Sequence, residues 1–116
     1  MDERLEKAFQ TTNFMATLTN QRHAAFEEFS QNLIFYTKGS SFVITKELIA
    51  FVNSLLVLGY KDNVVLIDDN NIPVSIDNLE DFQKSIADQY YTASTEYYSV
   101  YTKLKSKRKA EDLVNL

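Results

Sequence analysis

Apolar and near-apolar positions recur every three or four residues over the first third of the chain. Leu5, Ala8, Thr12, Met15, Thr19, Arg22, Phe26, Phe29, Leu33 and Tyr36 keep this spacing, which is the a/d seam of a coiled coil. It predicts a long helix from Asp2 to about Tyr36, apolar at both ends and polar at Thr12, Thr19 and Arg22. The helical pattern fades before Tyr36, because Leu33-Ile34-Phe35-Tyr36 also reads as a strand. A second long helix is predicted from Asp77 to Lys109. Leu79, Phe82, Ile86, Tyr90, Ala93, Tyr97, Tyr101 and Leu104 share one face. Asp77 and Glu80 open it as an acidic variant of the capping box. No Pro or Gly interrupts it.

The middle of the chain changes period. Lys38-Gly39-Ser40 is a turn signal, and Ser41-Phe42-Val43-Ile44 is short and β-prone, so a hairpin is expected around Gly39. Thr45 is a good N-cap. Lys46 to Leu58 follows as a helix with Leu48, Ile49, Val52, Leu55 and Leu56 on one face and Gly59 as its C′ residue. Val64-Val65-Leu66-Ile67 reads as a strand and Asp68-Asp69-Asn70-Asn71 as a turn. Ile72, Val74 and Ile76 alternate along a second strand, where Pro73 cannot donate to a ladder and dictates an edge position.

The order is therefore long helix, hairpin, short helix, hairpin, long helix. The expected class is α+β and mostly helical: two long antiparallel outer helices flanking a small middle of short β-hairpins and one short buried helix. One domain is expected over residues 1–109, with an acidic-apolar tail over 110–116. In this arrangement Phe26, Phe29 and Leu33 should lie near Leu79, Phe82 and Ile86. The plan resembles that of prefoldin subunits, whose outer helices flank β-hairpins, although the helix from Lys46 to Leu58 departs from it.

Composition narrows the function classes. The 116 residues suit one domain, and 45% apolar with 13% aromatic content can fill a core. No run approaches the ~18 apolar residues of a membrane span. The acidic Met1-Asp2-Glu3-Arg4 start lacks the features of a signal peptide. There are no cysteines, hence no disulfides and no thiolate metal sites. These features together point to a cytoplasmic protein. Net charge is −4, unevenly placed. Lys103, Lys105, Lys107, Arg108 and Lys109 cluster in seven positions, leaving seven basic against sixteen acidic residues elsewhere, a balance of −9.

The tyrosines carry the strongest functional signal. Tyr90, Tyr97 and Tyr101 lie on the apolar face of the last helix. Tyr91 and Tyr98 form a second stripe, rotated by about 100°. One stripe serves a helical hairpin; two suggest a partner surface, because a Tyr ring can be buried there while its hydroxyl stays hydrated. The other reading is a wide core face with Tyr hydroxyls at its edge. Lys103, Lys105, Lys107, Arg108 and Lys109 could contact phosphate or an acidic partner. They also complement the C-terminal end of a helix dipole. The acidic body opposes nucleic acid, so duplex binding is expected to be weak at physiological salt. Leu113, Val114 and Leu116, set among Glu111 and Asp112, have the character of a docking tail.

Catalytic signals are scarce. His23 is the sole histidine and is read as a surface or interface residue. No nucleophile–base pair is visible. Asp68 and Asp69 with Asn70 and Asn71 lack the Gly and distal Glu of an EF-hand loop and read as a turn. No enzyme activity, cofactor or metal is expected.

Val64 to Pro73, the Tyr-rich helix and the closing Lys107-Arg108-Lys109-Ala110-Glu111-Asp112-Leu113-Val114 resemble small uncharacterised proteins of tailed marine cyanophages. That resemblance implies a viral source and a host-cytoplasmic setting, and it assigns no catalytic residue. The functional expectation is an oligomeric or protein-interaction module, in a phage an assembly or virion-associated factor. The alternative is a nucleic-acid-associated accessory protein.

Overall fold

The structure is a computed structural model that describes residues 2–107. Its elements follow the order read from the sequence: α1 (Glu3–Gln31), β1 (Ile34–Thr37), β2 (Ser40–Val43), α2 (Lys46–Val57), β3 (Asp62–Ile67), β4 (Pro73–Asn78) and α3 (Leu79–Ser106). The protein is α+β and mostly helical, with long outer helices flanking two antiparallel hairpins. Two compact units are present: Ser30–Ser94, and residues 2–29 with 95–107 among those described.

The α+β unit holds the larger core. β1 pairs with β2 through a two-residue turn at Lys38 and Gly39, both with positive φ. That backbone matches the twist of a hairpin. Thr45 caps α2 by accepting the Leu48 N–H. At the other end the Tyr60 N–H donates to Leu55 O and the Gly59 N–H to Leu56 O, with Gly59 at φ +98°. This is a Schellman motif, which requires a left-handed residue at that position. β3 pairs with β4, matching Val65 to Ser75 and Ile67 to Pro73. Phe42, Ile44, Val52, Leu66, Val74, Ile76, Leu79, Phe82 and Ile86 are buried together. Leu33 and Phe35 pack at the edge of this cluster. The rings of Phe35 and Phe42 both meet Phe82 edge-on, at 5.4 and 5.3 Å between centroids.

The sequence placed the start of the last helix two residues early. Asp77 and Asn78 instead complete β4, and α3 starts at Leu79. The cap is Asn78, whose Oδ1 accepts the Asp81 N–H, in place of Asp77 with Glu80. The Leu79 N–H donates to Lys61 O, which holds the strand-to-helix junction. Side-chain amides of α3 supply further anchors. Gln89 Nε2 donates to Asn32 O and Ile34 O at 2.8 and 2.9 Å, and Gln83 Nε2 to Ile49 O.

The helical unit is an antiparallel pair of helix segments. Phe29 meets Tyr97, Arg22 lies over Tyr101, and Leu18 packs with Leu104. Its buried cluster is small, Leu18 and Leu104 flanked by Phe14 and Ala25. Here the structure corrects the predicted seam. Phe14, Leu18, Gln21, Ala25 and Phe29 are the less exposed positions, while Met15, Thr19, Arg22 and Phe26 are exposed. The real stripe sits mostly one residue earlier and coincides with the predicted one only at Phe29. It puts Leu18 and Ala25 where the predicted stripe had Thr19 and Phe26, so only Gln21 is polar.

Phe26 and Phe29 pack around Tyr97, Phe29 stacked at 4.8 Å and Phe26 edge-on at 6.0 Å. α1 ends at Gln31 and the chain turns directly into β1, so it is Phe35 of β1 that reaches Phe82.

Candidate functional site

Helical pitch divides the five tyrosines of α3 into two groups, and the structure gives them different environments. Tyr90 is partly buried against the core of the α+β unit. Tyr97 is half-buried, stacked on Phe29 and edge-on to Tyr101 at 6.4 Å. Tyr101 is more exposed, with the Arg22 guanidinium 6.0 Å from its ring centroid, within the range of a cation–π contact. This stripe packs within the chain. The other stripe does not: Tyr91 is 71% exposed and Tyr98 is 69% exposed. They are seven residues apart in one continuous helix. Asp88, Thr95 and Lys105 follow the same spacing and are exposed, so polar and charged positions border the two rings.

The basic stretch is described only in part. Lys103 and Lys105 are exposed in the last turn of α3, where cations complement the partial negative charge of the helix end. Lys107 is half-buried just beyond it. Arg108 and Lys109 lie outside the described residues, as do Leu113, Val114 and Leu116.

Asp68 is the buried ionisable group of the α+β unit. Its Oδ1 accepts the N–H groups of Asn70 and Ile72, both at 2.8 Å, and Asn71 adopts a positive φ. The Ile72 N–H holds the carboxyl below the usual carboxylate range; burial opposes this, and the Asn70 N–H and Ser40 hydroxyl reinforce it. Asp69 ties the same turn to β2, donating its N–H to Ser41 O and accepting the Val43 N–H at Oδ1. Both side chains thus serve the turn, and no group of three metal-ligating side chains occurs among the described residues.

The lowered value has a defined consequence. The charged form of Asp68 stabilises the fold above about pH 4, the unfolded value, and this contribution disappears as pH falls through the lower folded value. Asp68→Asn keeps an oxygen acceptor and removes the charge. Chemical denaturation should show it less stable than the parent near neutral pH, with the difference shrinking below about pH 4. A difference that stays constant through the acid range would contradict the assignment.

His23 Nε2 lies 2.9 Å from Glu27 Oε1 on the exposed surface of α1. It is a helix-surface pair at i and i+4. No helix among the described residues is long and apolar enough to cross a membrane.

Sequence reasoning missed the outer face of the β3–β4 hairpin. Val65 and Ile67 of β3 are 58% and 59% exposed, and Ile72 and Pro73 are exposed beside them. The run Val64-Val65-Leu66-Ile67 is apolar throughout, so alternation could not say which face was covered.

No protein-family model, curated protein or solved structure matches the chain.

Proposed function

We propose that this protein is a non-enzymatic module that acts by self-association, with the outer tyrosine stripe of α3 as a contact surface. The observation that carries this reading is the exposure of Tyr91 and Tyr98 beside a first stripe already engaged within the chain. Large aromatic rings left in water forgo burial at roughly 25 cal/mol per Å² of apolar surface. Two at one heptad's spacing supply anchors of the type that dominates interface energetics. The small cluster of the helical unit supports the same reading, since Leu18 and Leu104 with Phe14 and Ala25 are few for two helix segments.

The test uses sedimentation velocity on the full chain. Tyr91→Glu with Tyr98→Glu should lower the sedimenting mass relative to the parent while the circular dichroism spectrum stays unchanged. An unchanged mass at matched concentration would remove the stripe from the interface. The reading places the protein among assembly or virion-associated factors, if its source is viral as the resemblance implies.

A further inference from the structure

We propose that the outer edge of β3 pairs with β3 of a second copy, in antiparallel register, to join two hairpins into one four-stranded sheet. The inference rests on the self-association reading above and adds a contact separate from the tyrosine stripe.

The ladder parity exposes this edge. The Asp68 N–H donates to Ile72 O, so the pairs that exchange bonds in this hairpin are Leu66 with Val74 and Val64 with Ile76. Val65 and Ile67 then turn their N–H and C=O groups away from β4. Among the described residues no hydrogen bond outside the ladder reaches the main chain of either. The parity has an independent check on the other strand. Ser75, opposite Val65, also has an outward carbonyl, and Lys38 Nζ donates to it at 2.9 Å.

The two edges of the hairpin are unequally protected. β4 carries Pro73, which has no N–H, and is covered by Lys38 of the β1–β2 turn, which binds Ser75 O and Asp77 Oδ1. Pro and Lys at an edge are the usual means of blocking further strand addition. β3 has neither between Asp62 and Ile67. It presents unpaired main-chain groups beside exposed Val65 and Ile67, which is the requirement for strand addition. A two-stranded sheet is also marginal in isolation.

Charge favours a second copy in antiparallel rather than parallel orientation. Lys61 and Asp62 lie at one end of the strand, Lys61 already 3.5 Å from Glu80, and Asp69 follows the other end. Parallel pairing would set each of these charges beside its own counterpart, and antiparallel pairing avoids that. Val65 and Ile67 of one copy then meet the same β-branched residues of the other, a favourable cross-strand combination.

Amide hydrogen exchange resolved to single residues tests this. In the parent, the Val65 and Ile67 amides should exchange at least about tenfold more slowly at high than at low protein concentration. Val65→Lys with Ile67→Lys should abolish that dependence while leaving the circular dichroism spectrum unchanged. Tyr91→Glu with Tyr98→Glu should leave concentration-dependent protection at both amides, because strand pairing needs no tyrosine. Exchange independent of concentration in a parent that still forms oligomers would overturn the strand pairing and leave the tyrosine reading standing. A parent that stays monomeric throughout would overturn both.

Discussion

Phe82→Ala is expected to destabilise the α+β unit by about 3–5 kcal/mol, the range for deleting a buried aromatic ring. Phe82 is buried at the start of α3, and the edges of two other rings, Phe35 and Phe42, converge on it. Those aromatic pairs contribute about 0.5–1.5 kcal/mol each beyond area burial. The cavity would open among Leu79 and Ile86 of α3 and Phe42 of β2, which two different elements hold in place. Denaturant titration followed by circular dichroism measures the change. A loss under about 1 kcal/mol would mean that the three rings do not form the centre of this unit.

Leu104→Ala has a comparable expected cost, about 2–5 kcal/mol, and a different outcome. Among the described residues, Leu104 and Leu18 are the buried apolar pair of the helical unit, with Phe14 and Ala25 packed against them. Removing one side chain takes away about half of that cluster. The α+β unit has its own core and needs neither residue. Hydrogen exchange should therefore separate the two units. Amides of residues 14–25 and 97–104 should lose protection by at least about thirtyfold, using 1.4 kcal/mol per factor of ten. Those of β3 and β4 should be nearly unchanged. Equal loss in both units would show that they unfold as one.

The element order was legible because each transition carries its own local chemistry. Thr45 and Gly59 bracket α2 through a hydroxyl cap and a left-handed residue, and both act as their residue types suggest. Lys38-Gly39 and Asp68 to Asn71 were legible as turns for the same reason. The β4–α3 junction was less so. Asp77 and Asn78 are both capping residues, and only the Lys61 carbonyl, bonded to the Leu79 N–H, decides between them. That partner is remote in sequence.

The seam of α1 failed for a related reason. Apolar residues in Glu3–Gln31 are sparse and scattered around the helix, so two stripes fit almost equally well. Leu18 faces inward because Leu104 is there to meet it, and no local pattern encodes that. The tyrosines were read as two stripes, and their exposures differ accordingly, with Tyr97 half-buried and Tyr98 exposed. The open edge of β3 was hidden because edge status depends on which main-chain groups are paired, a property of register rather than of composition.

The central claim is self-association of the intact chain, and its mass in solution tests that most directly. Multi-angle light scattering across a concentration series should give a mass that rises from that of the 13.4 kDa chain to a defined multiple at high micromolar concentration. A mass that remains that of one chain over the whole series would contradict the account.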